Sequence, residues 1–197
     1  MAFRSQPCTF PGTLEGTADL DCPIQQYLTD GQPDVDAIWR LVFKGAVRFQ
    51  SLKTSVILNA QSWCPFNSQS TLFFPDAFPL LYLPATAGFR LTDIWRSFVA
   101  QIVLTEHHFH VAFHGPTVYQ TRNPHDLMQD FADETPGYLH NDRIMSILSQ
   151  AVRQKKPADS IAQTARILWQ ALVEAGFLDS RELALFDAWT NLLAGDS

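Results

Sequence analysis

Long apolar runs are missing from this chain of 197 residues. None approaches the roughly 18 residues that a membrane-spanning helix needs, and the opening M-A-F-R-S-Q-P-C-T-F lacks the apolar core of a signal peptide. Neither a span nor a leader is expected, and the chain reads as soluble. Cysteine is scarce. Cys8, Cys22 and Cys64 are scattered and odd in number, which excludes a disulfide framework and the C-x-x-C spacing of a zinc site. Positive charge is scarce too. Fourteen Lys and Arg face twenty Asp and Glu, for a net charge of −6, and the longest basic cluster is Arg153-Gln154-Lys155-Lys156. That balance argues against nucleic-acid binding. There is no G-x-S-x-G, no P-loop and no G-x-G-x-x-G, so the usual hydrolase elbow and phosphate cradles are excluded.

What is present is apolar and irregular. Hydrophobic residues make up 46% and charged residues 17%, with fifteen Phe and twelve Pro. This composition fits a folded α/β body with many loops. Residues 1–33 show no sustained periodicity. Pro33 and Asp34 then stand where a helix start wants them, before Val35, Ile38, Trp39 and Val42 at helical spacing. Val47–Phe49 and Ser55–Leu58 read as short strands, and the apolar run Ala77–Leu83, stopped by Pro84, as a buried one.

Thr92 is the expected cap of a helix in which Leu91, Ile94, Trp95, Phe98, Val99 and Ile102 share one arc, with Asp93 opposite. The alternation over Thr105–Phe113 predicts a strand broken by Gly115-Pro116, with Val118–Gln120 as one more. After a short helix with Leu127, Met128 and Phe131 inward, Asn141 or Asp142 is expected to cap a separate helix. Pro157 should begin another helix that ends at Gly176. Asp179-Ser180-Arg181-Glu182 resembles a capping box before a last helix. That helix should lay Leu183, Phe186, Trp189, Leu192 and Leu193 on Ile161, Leu168 and Leu172. The expected division is an α/β domain over 1–141 and a helical extension over 142–197.

Three groups of residues could carry chemistry. Asp93, flanked by Arg90 and the polar loop Asn67-Ser68-Gln69, has the makings of a general base; the alternative is a carboxylate that complements the helix dipole. Asp34-x-Asp36 could hold a divalent cation through hard oxygens, or could simply cap a helix. His108, His110 and His114 could share a strand face and suit zinc, but with no Cys or acidic ligand at matching spacing apart from Glu106, a half-exposed polar face explains them better.

Four blocks of sequence carry a resemblance. They are G-Q-P-D-V-D-A-I-W-R-L, P-F-N-S-Q-S-T-L-F-F-P-D-A-F-P-L-L-Y-L-P, F-R-L-T-D-I-W-R-S-F-V-A-Q and Q-T-R-N-P-H-D-L-M-Q-D-F-A-D-E. In this order, over residues 31–141, they resemble the STELLO-type glycosyltransferase-like family and, more distantly, the reversibly glycosylated polypeptides, which are arabinopyranose mutases. The resemblance implies a partial GT-A-like mixed sheet with flanking helices, and a nucleotide-sugar and a glycan acceptor as partners. It also implies a divalent cation, manganese or magnesium. Asp34, Asp36, Asn67, Ser68 and Gln69 would then bind substrate, with Asp93 and Arg90 catalytic. Asp34 and Asp36 would hold the metal with His114, which lies near the V-Y-Q-T-R-N stretch where such folds place a late histidine. A GT-A fold also carries a nucleotide-binding half before its D-x-D, whereas only an irregular segment precedes Asp34. The chain could therefore be a transferase needing a partner chain or a homo-oligomer, or a non-catalytic carbohydrate-binding or scaffold module.

Overall fold

A computed structural model describes residues 20–43, 45–49, 55–58 and 62–195. Four strands form one mixed sheet: β1 (Ile24–Gly31), β2 (Val56–Ile57), β3 (Thr71–Phe73) and β4 (Val111–Gln120), in the order β2-β4-β1-β3. β1 and β4 run parallel at its centre, while β3 and β2 pair antiparallel at the two edges. Among the described residues five α-helices accompany the sheet: α1 (Ala37–Val42), α2 (Thr92–Glu106), α3 (Leu127–Ala151), α4 (Ile161–Glu174) and α5 (Arg181–Gly195). The result is the expected mixed α/β body with flanking helices and a helical C-terminal region.

The central strand β1 lies inside the segment expected to be irregular, because its inward positions include Gln26 and Thr29. A hydrophobic alternation cannot reveal a strand whose buried face is partly polar. The remainder of that expectation, over residues 1–19, lies outside the described residues. On the opposite side of the pairing, β4 starts later than expected and is not broken. Thr105 and Glu106 finish α2, and the strand runs through Gly115-Pro116 to Gln120. The ladder absorbs the proline with a register shift between Tyr27 and Thr29, since Pro has no N–H to give to a ladder. Of the two short strands expected earlier, Val47 makes only an isolated bridge to Gly31, and Ser55–Leu58 shrinks to β2.

The expected strand over Ala77–Leu83 is a 3-10 turn, Pro75–Leu81. Pro75 and Pro79 fix helical φ values and withhold the N–H groups a strand would need. Two turns of this kind lead into α2, the second over Phe89–Leu91. Thr92 is consequently already helical, and its Oγ1 donates to the Phe89 carbonyl at 3.2 Å. α2 is also more deeply placed than its apolar arc implied: every residue from Trp95 to Leu104 is buried, Arg96, Ser97 and Gln101 included. It is the axis of the core, where Phe98, Val99 and Val103 join Ile24 and Val111 of the sheet to Ile144, Leu148, Leu168 and Leu172 of the later helices.

α3 is one helix of 25 residues rather than two, so the boundary expected at 141/142 falls in its interior. Asp126 caps it, accepting from the amides of Met128 and Gln129 at 3.0 and 3.1 Å. Met128, expected inward, is exposed. Asn141 does not cap a helix; its Oδ1 accepts from Trp95 Nε1 at 3.2 Å, which ties α3 to α2. Gly137 allows the close approach between α3 and the Phe89–Leu91 turn, because a Cβ there would lie 2.8 Å from Leu91 Cδ2.

α4 opens at a true capping box of Ser160 and Gln163, a few residues after Pro157. It closes as expected at Gly176. That residue takes φ +77°, and the bonds Gly176 N to Val173 O and Phe177 N to Leu172 O form a Schellman motif. In α5, Phe186 is buried and Leu183 and Trp189 pack on the core, while Leu192 faces solvent.

Two histidines give the fold a pH dependence. His107 Nε2 lies 2.9 Å from Thr164 Oγ1 and joins the end of α2 to α4. Burial and then the nearby Lys155 hold its pKa below the ordinary value. Burial also lowers that of His114. Below about pH 6.5 the unfolded chain takes up protons that the folded chain refuses, so stability should fall as pH drops through that window. The melting midpoint is expected to decrease between pH 7 and pH 5, and less steeply in His107→Gln.

Candidate functional site

The parallel strands β1 and β4 end side by side, and the site is built on the loops that leave them. Crevices at the carboxyl ends of parallel strands are where open α/β sheets bind ligands. The first loop, Gln32 to Asp36, is pinned to the second by a bond from Gln32 N to Gln120 O at 2.9 Å and one from Arg122 N to Gln32 Oε1 at 2.7 Å. Asp34 stands between them. Its carboxylate accepts from Arg122 Nη2 at 2.7 Å and lies 3.5 Å from Arg40 Nη2. About a third of that side chain is exposed, far more than its arginine partners.

The polar loop before β3 holds Asp34 from the other side. Gln69 Oε1 accepts from the Asp34 amide at 2.9 Å, and Asn67 Nδ2 donates to its carbonyl at 3.1 Å. Gln69 Nε2 reaches Gln120 Oε1 across the sheet end. The loop is itself fixed by Thr71 Oγ1 on the Asn67 carbonyl and by Gln26 Nε2 on the Gln69 carbonyl.

Asp93 meets this loop from α2. Its Oδ2 accepts from the Ser68 amide at 3.0 Å, while Arg96 donates to the Ser68 hydroxyl at 3.3 Å. Arg96 is almost wholly buried, with its guanidinium over the rings of Phe66 and Phe73. Burial draws its pKa down to about 10, with Asp93 opposing the shift. Burial likewise raises the Asp93 carboxyl above its ordinary range, in part against the Ser68 hydrogen bond, with Asp34 adding to the rise.

Because the folded state holds that proton more tightly than the unfolded chain, stability should decline as pH rises from about 3.9 through the raised value. Asp93→Asn keeps an oxygen for the Ser68 amide. It should therefore melt no lower than the wild type at pH 7, with any advantage fading as pH falls toward the ordinary carboxylate range. A clearly lower midpoint at pH 7 would mean that attraction to Arg96 outweighs the burial of the charge.

Arg90 does not join Asp93. Its Nε and Nη2 both reach Glu134 Oε1, at 3.1 and 2.6 Å. Glu134 Oε2 in turn accepts from the Ala37 amide at 2.8 Å and from Tyr138 Oη at 2.7 Å. This buried carboxylate thus fastens the start of α1 to α3. Asp36 caps α1 by accepting from Trp39 N at 2.8 Å, and among the described residues its other oxygen, which is buried, has no hydrogen-bond partner. The D-x-D therefore splits, Asp34 facing the crevice and Asp36 serving the helix.

Two cavities flank Asp34. The first, about 350 Å3, is lined by Asp34, Asn67, Gln69, Gln26, Tyr27 and Trp39 among others. The second, about 580 Å3, shares Pro33, Val35 and Trp39 with it and continues toward Arg122 and His125. Asp93 and Arg90 line neither. Asp93 lies behind the Asn67–Gln69 loop, in contact with its amide rather than with the hollow.

The metal set read from sequence is not brought together. His114 stacks on Tyr27 and faces Ser55, and among the described residues no three His, Cys, Asp or Glu side chains form a cluster that could hold an ion. Asp34 is already paired with guanidinium groups. These residues do not fit the implied cation.

Arg40, Arg122, Trp39 and Glu134 belong to the site but were not picked out from sequence. Trp39 and Arg40 were legible only as part of the α1 turn. Arg122 and Glu134 carry no local signal, because their partners are 88 and 97 residues distant.

The family model for the STELLO glycosyltransferases matches residues 90–194, more than half of the chain. The chain belongs to that family. Two probable glycosyltransferases of Arabidopsis thaliana, STELLO1 and STELLO2, are 29% and 28% identical to it over 171 and 173 residues. Those alignments cover 84% of this chain and 22% of each relative, so the chain spans about a fifth of the length of the STELLO proteins it matches. The family match begins at Arg90, and the two longer alignments extend it toward the strand ends described above.

Proposed function

We propose that this chain is a carbohydrate-recognition unit of the STELLO type, with the cavity beside Asp34 as its sugar site. The observation that carries the reading is the convergence of Asp34, Asn67 and Gln69 on one hollow walled by Tyr27 and Trp39. A carboxylate and side-chain amides supply acceptors and donors for hydroxyl groups, while aromatic faces cover the apolar side of a sugar ring. The volume lies within the range of about 300–1,000 Å3 typical of small-ligand sites.

Arg122 and Arg40 keep the Asp34 carboxylate in place as an acceptor, and Asp93 and Arg96 hold the loop that supplies the amides. Titration calorimetry with neutral mono- and oligosaccharides tests this. Binding should weaken about tenfold or more in Asp34→Asn and Gln69→Ala, consistent with the loss of one or two charge-assisted or buried hydrogen bonds. Absence of heat with every neutral sugar at saturating concentration would remove the reading.

A second reading, glycosyl transfer from a nucleotide-sugar with Asp93 as general base, draws on the raised Asp93 carboxyl, since a base operating near neutral pH needs such a shift. It requires the Ser68 amide to release Asp93 toward the acceptor. Transfer of labelled sugar that disappears in Asp93→Asn with acceptor binding intact would support it. Binding without turnover in the wild type would leave recognition alone.

A further inference from the structure

The second cavity carries more positive charge in its walls than the first, which holds Asp34 and Arg48. It is lined by Arg40, Arg122 and His125, with Asn123 beside them and Trp39 and Phe43 as an aromatic wall. No carboxylate is among its described lining residues, in a chain whose net charge is −6. The two arginines keep donors in hand. A guanidinium offers five N–H groups, and among the described residues the Arg40 side chain makes one hydrogen bond, a long one of 3.5 Å to Asp34. Arg122 makes two side-chain bonds, at 2.7 Å to Asp34 and 3.4 Å to the Pro33 carbonyl.

A third feature points the same way. Asp130 Oδ2 lies 3.3 Å from His125 Nδ1, 3.7 Å from Arg90 and 3.9 Å from Arg40, yet it is buried and hydrogen-bonded by none of them. Arg40 and Arg90 are drawn toward Asp130 by charge, and Arg40 keeps most of its donors unspent.

We infer that this second cavity is an anion subsite that takes a phosphate or carboxylate carried on the sugar bound beside Asp34, held by Arg122 and Arg40 without a metal ion. The inference rests on the sugar reading for the neighbouring cavity. It deepens that reading by naming the ligand class as an anionic sugar. Pro33, Val35 and Trp39 line both cavities, so a ring against Trp39 in the first lies next to the guanidinium groups of the second. Bidentate donation from planar guanidinium suits both phosphate and carboxylate.

Calorimetry on the full chain in EDTA would compare glucose, glucuronate, glucose 6-phosphate and inorganic phosphate. The two charged sugars are expected to bind at least tenfold tighter than glucose. That margin should shrink only modestly as salt rises from about 50 to about 500 mM, because contacts to largely buried guanidinium groups are screened less than exposed ones. Arg122→Gln should erase it, Arg122→Lys should restore part of it, and His125→Gln should reduce it with circular dichroism unchanged. Comparison of glucuronate with glucose 6-phosphate separates carboxylate from phosphate.

Equal affinity for charged and neutral sugars would overturn the inference. So would anion binding that needs manganese or magnesium, or that ignores both Arg122 and His125 substitutions. Phosphate binding lost in Arg122→Gln, with no sugar binding at all, would refute the sugar reading and leave the anion subsite standing. Neutral-sugar binding with no preference for charge would do the reverse.

Discussion

Replacing Glu182 by alanine is expected to cost about 3–5 kcal/mol of stability, because four donors lose their shared acceptor at about 1–3 kcal/mol for each one left unsatisfied. The side chain is fully buried near the start of α5 and accepts from four donors on the Tyr82–Thr86 segment. They are the amides of Ala85 and Thr86, each at 2.9 Å, and the hydroxyls of Thr86 and Tyr82. Burial, and then the bond to Glu182, pushes the Tyr82 phenol well above its ordinary pKa, so the phenol remains a donor at any ordinary pH.

Alanine would strip the acceptor from these half-buried donors, with the Tyr82 ring still against Trp169 and Phe186, and an unmade hydrogen bond carries the desolvation cost of its group. For a chain of this size roughly 2–4 °C accompanies each kcal/mol, so the thermal midpoint should fall by about 6–20 °C. Glu182→Gln should recover little, because its amide turns donors toward donors. A midpoint within about 2 °C of wild type would mean that water reaches the segment once the carboxylate is gone. The sequence reading had Glu182 completing a capping box. The structure instead has Arg181 N on Asp179 Oδ1 at 2.9 Å, and it spends Glu182 on tertiary contacts.

The second large effect is expected at Glu134. Alanine there would orphan the Ala37 amide and the Tyr138 phenol, and would leave Arg90 with only the 3.7 Å approach to Asp130. About 3–5 kcal/mol should again be lost. Tyr138→Phe, which removes one donor and leaves the ion pair, should cost only about 1 kcal/mol.

Glu134→Ala and Tyr138→Phe should not add, since both act on the Glu134 carboxylate. The functional consequence separates Glu134 from Glu182. Glu134 anchors α1, and α1 supplies Trp39 and Arg40 to the cavities. Glu134→Ala should therefore abolish sugar binding at temperatures where the protein is still folded, whereas Glu182→Ala should bind normally below its melting point. Equal binding losses in both variants would show that the cavities depend on global stability alone.

What the sequence could reveal follows from the range of the interactions concerned. Helices α4 and α5, the Gly176 stop and the apolar stripe of α2 rest on contacts within a few residues, so periodicity and caps expose them. The mixed α/β class followed from composition and the alternation of elements. The four sequence blocks led to the STELLO family, and they named Asp34, Asn67, Gln69 and Asp93, which the fold does bring to one loop network.

The tertiary structure decided the rest. β1 is central because Gln26 and Thr29 find places in the interior, although nothing apolar marks them. The 3-10 turn over Pro75–Leu81 replaces a strand because two prolines cannot serve a ladder. Asp34 is bound to arginine rather than grouped with His114, and Arg90 belongs to Glu134 rather than to Asp93. Those pairings link residues tens of positions apart, and charge attraction has no sequence register. Only the packing of α1, α3 and the ends of the two parallel strands fixes which guanidinium meets which carboxylate.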